Sequence, residues 1–265
     1  MKNYTNCAVL GALFATVVLP STAVSKDALS LMQEVDKRLK ARDEVVRYDM
    51  ELYEGTAMTH ARKLVRSDKM FPNKNSTVVR FTQPVSVKNV SLLIEDSGAA
   101  VNDIWSYTAS TKNLRRISGA QKQNWFMGTE FTYEDFEDFK LKTYDFAEVG
   151  LQAPCLAWAK CTVVEATPKS GAEASASGYA KKRYFIEANS QFPVQVEYVD
   201  AGGIVVKRLV TENLKKYDAY YRPTAQTMHN LSTKRRTRMV VTGVTLNQGL
   251  PDARFTQRYL RSEDE

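Results

Sequence analysis

The sequence predicts a mainly β protein, built as one strongly curved antiparallel sheet or an incomplete barrel. Three observations carry this. About a dozen short segments alternate apolar and polar residues with period two, and turn residues separate them. Sustained helical periodicity appears in a single stretch near the N-terminus. No internal repeat and no interior shift in composition divides the chain, so residues 26–265 are expected to form one domain.

Residues 1–25 read as a secretory signal. Lys2 supplies the positive start, Ala8 to Leu19 an apolar stretch, and Ser21 to Ser25 a small-residue cleavage region. The apolar stretch is shorter than the roughly 20 residues that cross a bilayer. Cleavage is expected after Ala23 or Ser25, with Ser25 favoured, and export to the periplasm follows from it.

The helical stretch is Asp27 to Arg42. Leu29, Met32, Val35 and Leu39 recur at helical spacing with Lys and Arg opposite, and the start is capped near Ser25 to Asp27. The period then changes. Val46, Tyr48, Met50 and Leu52 alternate with Arg47, Asp49, Glu51 and Tyr53, as in a half-buried strand. Further strands are expected at 62–70, 77–82, 90–95, 104–109 and 114–118. A second series follows at 141–146, 161–166, 184–187, 193–199, 205–211 and 238–246. Asp200-Ala-Gly-Gly203 is a hairpin turn, because its glycines accept positive φ. Lys169 to Gly178, small and polar, is expected to be an exposed hairpin tip. Arg254 to Arg261 is either a short helix or a last edge strand.

Between the two strand series lies the most unusual segment, Asn124 to Phe139. Six aromatic residues (Trp125, Phe126, Phe131, Tyr133, Phe136, Phe139) are interleaved with five carboxylates. Its rings call for burial and its acids for water, so a short amphipathic helix over an apolar surface is expected. Thr132 is the expected N-cap, with Asp135 completing a capping box.

Lys and Arg outnumber Asp and Glu by 37 to 30, and the signal contributes only Lys2 to that excess. The balance favours acidic partners such as anionic headgroups or an acidic protein surface; nucleic acid is not expected for an exported chain. Cys155 and Cys161 are the cysteines left after export. They are expected to pair in an oxidising compartment, closing a loop worth about 2 kcal/mol; two free buried thiols are the alternative.

The Trp-x-Tyr strand at 105–107, the Arg-Arg-Ile turn at 115–117 and the run Met127-Gly-Thr-Glu-Phe-Thr-Tyr-Glu-Asp-Phe136 resemble the LolA-like family of outer-membrane lipoprotein-sorting proteins. The similarity continues through Tyr184 to Val210 and Thr227 to Arg261. It implies a half-open antiparallel β-barrel whose concave face is covered by an α-helical lid. It also implies an acyl-chain carrier, with an inner-membrane transporter of RND or ABC type as donor and an outer-membrane acceptor. Extra length around 169–178 and after Asn213 sets this chain apart from the best-known lipoprotein carriers and leaves the cargo open between lipoproteins and other lipids.

Enzymatic chemistry and metal binding are not expected, and no cofactor is implied. His60 and His229 lack metal-ligand spacing, and neither a Gly-x-Ser-x-Gly nor a Gly-rich phosphate loop occurs. Glu130, Glu134, Asp135, Glu137 and Asp138 lack the pattern of a calcium loop and read as a solvated face matched to a helix dipole. The basic clusters Lys112/Arg115/Arg116 and Lys234/Arg235/Arg236/Arg238 read either as solvated turns or as a docking surface. The expected lipid-binding cavity and lid comprise Tyr48, Met50, Leu52, Phe81, Trp105, Tyr107, Phe126, Met127, Phe131 and Phe136. An acyl chain of 16 carbons buried there would gain on the order of 12 kcal/mol, so release requires an offset, which the chain's own rings supply by competing for the same wall. A lipid-sensing regulatory module of the envelope is the rival reading, and an enzyme acting on envelope lipids a weaker third.

Overall fold

The computed structural model describes residues 26–99, 101–152 and 154–262. The signal segment at 1–25 lies outside them. Helix α1 (Lys26–Leu39) precedes six strands: β1 (Asp43–Glu54), β2 (Ala57–Phe71), β3 (Lys74–Gln83), β4 (Ser91–Asp96), β5 (Asp103–Thr108) and β6 (Asn113–Ile117). After a long connection come β7 (Tyr144–Gln152), β8 (Cys161–Pro168), α2 (Gly171–Ser177), β9 (Lys181–Glu187), β10 (Pro193–Val199) and β11 (Val205–Thr211). The hairpin β12 (Leu214–Tyr217) and β13 (Tyr220–Pro223) leads to β14 (Ala225–Asn230), β15 (Arg235–Leu246) and the short α3 (Gln257–Leu260).

Thirteen strands form one open sheet in the order β6-β5-β4-β3-β2-β1-β15-β14-β11-β10-β9-β8-β7. Neighbours pair antiparallel throughout, and β1 against β15 joins the two halves. Register slips at Arg47/Tyr48, Leu52/Tyr53, Lys63/Leu64 and Glu148/Gly150 are among the bulges that bend the strands and raise their twist. The edges are β6 and β7, which are also consecutive in sequence. Residues 118–143 must therefore travel from one edge to the other, and they do so across the concave face.

Alternation sorts the side chains between two faces. On the concave side Met50, Leu52, Leu64, Val79, Phe81, Leu92, Ile94 and Ile104 form one core with Tyr184, Val196, Met228 and Met239 of the other half. Helix α1 adds Met32 and Val35, fully buried as expected, together with Ala28; Leu29 and Leu39, expected on the same face, are only partly buried. Met32 and Val35 each gain about 1.5–3 kcal/mol from that burial. The helix ends at Leu39, whose carbonyl accepts a hydrogen bond from Arg222 Nη2 at 3.0 Å; the same guanidinium grips Glu44. On the convex side the C-terminal segment lays Phe255 and Leu260 over Val78, Leu93 and Tyr107. Cys155 and Cys161 are disulfide-bonded within a third cluster, with Phe185, Phe192 and Val194.

Three local expectations need correction. Residues 171–177 are helical rather than a hairpin tip: Ser170 Oγ accepts from Glu173 N, and Gly178 closes the helix in the left-handed region. The strand expected at 141–146 lies further on, at 144–152. The aromatic segment forms only a three-residue 3₁₀ turn, Glu134–Phe136, in place of a helix.

Candidate functional site

The site is the concave groove with the aromatic segment seated in it. The seat begins with a tight turn. Met127 and Gly128 both take positive φ, 54° and 69°, as the two central residues of a type I′ turn require. Phe126 N donates to Phe131 O at 2.7 Å, and Thr129 Oγ1 donates to Phe126 O at 2.7 Å. The turn thereby drives Phe126 into the centre of the groove, where it is fully buried. Its ring stacks on Phe81 at 5.6 Å and meets Tyr133 and Phe136 edge-on at 5.4 and 5.2 Å.

The carboxylates are not a solvated face. The side chains of Glu134, Asp135 and Glu137 are 1–2% exposed. Each points at a lysine: Glu134 at Lys182 of β9 (2.7 Å), Asp135 at Lys207 of β11 (2.5 Å), and Glu137 at Lys122 (2.8 Å). Lys140 bridges Glu173 and Glu137 at 2.6 and 3.3 Å. Glu130 accepts from Asn230 Nδ2 at 2.8 Å and pairs with Arg235 at 3.2 Å. These diverging partners explain the missing helix. Thr132 and Asp135 do bond, the carboxylate accepting from the Thr132 backbone N–H at 2.7 Å. The chain then leaves the helical region at Glu137, so that neighbouring acids reach cations on different elements.

Arginines complete the tether. Arg62 of β2 donates to Met127 O at 2.7 Å, and Arg115 of β6 to the Tyr133 hydroxyl at 3.0 Å. Of the two basic clusters read from the sequence, then, Arg115 and Arg235 face the seated segment. Arg236 lies over the Tyr53 ring, and Arg238 pairs with Glu212 and Glu51.

Burial alone would push the Glu134 carboxyl up, but Lys182 and Lys140 outweigh it and hold it down at about 2. Lys182 is pushed well above its ordinary value, burial being outweighed by Glu134. At Lys207 burial wins over Asp135, and the ammonium is held below the ordinary lysine value. A carboxyl depressed in the folded state contributes stability above its unfolded pKa of 4.5, and that contribution vanishes as pH falls through the folded value. The seated segment is therefore expected to hold at neutral pH and loosen between about pH 4.5 and 2. Trp125, 45% exposed beside it, is the natural reporter. An acid transition in its emission that persists unchanged in Glu134→Gln contradicts this assignment.

Two adjoining hollows remain beside the rings. One, about 240 Å³, lies between the end of α1 and β1–β3 and is lined by Leu39, Tyr48, Met70 and Phe139 together with charged Arg66 and Glu44. The other, about 210 Å³, is lined by Phe146, Ala166, Val196 and Leu209 with Lys182 at its side. Both touch Leu39, Phe139 and Phe192. Each falls below the roughly 300–1,000 Å³ of small-molecule pockets, and Phe139 lines both.

Of the cavity residues expected from sequence, Met50, Leu52, Phe81, Phe126, Phe131 and Phe136 meet in the concave core, with Tyr48 and Met127 packed against it. Trp105 and Tyr107 do not. On β5 it is Ile104 that faces the concave core, so alternation sends both aromatics to the convex side under the C-terminal segment. The sequence reading missed Lys182 and Lys207. Their signal was phase: each lies two residues from an inward apolar neighbour, Tyr184 and Leu209. His60 is exposed on β2 and His229 half-buried on β14. Among the described residues no group of His, Cys, Asp and Glu is arranged to hold a metal ion.

The family whose model matches residues 73–262 is described as uncharacterized-protein-like. No curated protein matches the chain in sequence. Among solved structures, a domain assigned to outer-membrane lipoprotein sorting from Vibrio parahaemolyticus is 25% identical, with a TM-score of 0.82 over 89% of this chain and 99% of that one. A DUF1329 family protein from Desulfovibrio piger superposes with a TM-score of 0.81 at 22% identity, over 89% of this chain and 98% of that one. A LolA superfamily protein from Nitrosomonas europaea shares the fold at a TM-score of 0.68 and 18% identity, over 88% and 98% of the two chains.

Proposed function

Since the chain belongs to the family whose model covers residues 73–262 and is similar to a structure assigned to outer-membrane lipoprotein sorting, we propose that it is a periplasmic carrier for the acyl chains of lipoproteins or other lipids. The concave groove takes up the chains and carries them from an inner-membrane transporter, of RND or ABC type, toward an outer-membrane acceptor. It works as a binding protein and not as an enzyme.

The observation that supports this reading best is that the groove is filled by a segment of the chain's own making. Phe126, Phe131 and Phe136 occupy the concave wall, yet they arrive on a connection with one short 3₁₀ turn. Such a connection can lift without breaking a strand ladder, the cost lying in its tethers to Lys182, Lys207, Arg62 and Arg115. Guest and rings compete for the same apolar surface, so the net gain on loading is a difference of two burials and stays small enough for release.

The test is to purify the protein from periplasm under native conditions and weigh it intact. A carrier retains about one acylated species per chain and gives it up to outer-membrane vesicles. Recovery of lipid-free protein that also fails to bind a fluorescent fatty acid rejects the proposal.

A further inference from the structure

We infer that Lys182 and Lys207 form the headgroup site for an anionic amphiphile, a place held by the protein's own Glu134 and Asp135 while the groove is closed. This rests on the carrier reading and narrows its cargo to lipids bearing a phosphate or carboxylate.

The two lysines belong to the wall. Lys182 on β9 and Lys207 on β11 both pair in register with Tyr198 of β10, so their ammonium groups flank one tyrosine ring, at 5.6 and 4.2 Å. Lys207 is 1% exposed and Lys182 12%. Their ion-pair partners, Asp135 and Glu134, both ride on the segment that crosses the groove. Lys122 and Lys140 are different, because they lie on that crossing connection themselves and move with Glu137.

Lifting the segment therefore removes two negative charges from the wall and leaves two positive ones behind. Once an acyl chain takes the segment's place and excludes water again, a bare ammonium costs far more than an uncovered ring. An acyl chain alone does not meet that cost; a headgroup carrying negative charge does. The position is right for it. The 210 Å³ hollow is lined by Phe146, Ala166, Val196 and Leu209 with Lys182 and Tyr198, so a chain laid on that apolar wall has its head beside Lys182, with Lys207 across the Tyr198 ring.

The experiment titrates delipidated protein with dihexanoyl phosphatidate, with dihexanoylglycerol and with inorganic phosphate, following Trp125 emission and heat. Phosphatidate is expected to bind about tenfold or more tightly than the glycerol. That preference should vanish in the Lys182→Met/Lys207→Met variant, checked for folding by circular dichroism. Glu134→Gln/Asp135→Asn, which frees the lysines, should strengthen phosphatidate binding, an effect opposite in sign to damage. Equal binding of both lipids overturns the inference and leaves the carrier reading standing. Inorganic phosphate binding as tightly as phosphatidate overturns it in favour of a free-anion site. Failure of both lipids to bind wild type and the Glu134→Gln/Asp135→Asn variant overturns inference and carrier reading together.

Discussion

Lys182→Met is expected to lower stability toward urea by about 3–5 kcal/mol, the usual cost of stranding one partner of a buried ion pair. Glu134 would keep hydrogen bonds from Ser177 Oγ at 3.1 Å and the Tyr144 hydroxyl at 3.4 Å, and Lys140 would remain 3.8 Å away. Those contacts place the loss toward the lower end of the range. The carboxyl, held at about 2 in the wild type, would rise, and part of the loss would appear as proton uptake at a higher pH than in the wild type. Removing both charges in Lys182→Met/Glu134→Leu should recover most of the stability, because two apolar side chains replace a desolvated pair. Additive losses in the double variant would show that the two residues act independently.

Phe126→Ala is the second large effect, at about 3–5 kcal/mol. The ring is fully buried and touches Phe81, Tyr133 and Phe136, so truncation leaves a cavity at the point where the segment meets the sheet. Its consequence for binding separates a lid from an ordinary core. A core residue, when truncated, weakens everything around it. A lid residue, when truncated, weakens the closed state more than the loaded one, so a fluorescent fatty acid should bind more tightly as stability falls. Lower stability with weaker or unchanged binding would identify these rings as plain core.

Legibility from sequence followed the range of the interactions. α1 was readable because Met32 and Val35, both fully buried, follow a local periodicity, although Ala28 and not Leu29 completes the buried face. The phase of β1 was readable for the same reason, Met50 and Leu52 being inward as the alternation requires. α2 was misread although Ser170, Glu173 and Gly178 carried cap signals at both ends. The stretch 214–230 was not read as strands, because Leu214-Lys-Lys-Tyr217 lacks a sustained alternation and its pairing to Tyr220–Pro223 depends on a turn.

The chain by itself determined that the protein is mainly β, that a helix precedes the sheet, and that one segment holds an unusual density of rings and acids. Those are properties of residues near one another. Only the tertiary structure decided where that segment goes and what its acids do. Once β6 and β7 become opposite edges of an open sheet, the connection between them must cross the concave face. Its carboxylates then lose water and must find cations, and the cations that meet Glu134 and Asp135 stand 48 and 72 residues away along the chain. No local pattern encodes such a pairing, because charge neutralisation in a buried groove depends on distance in space.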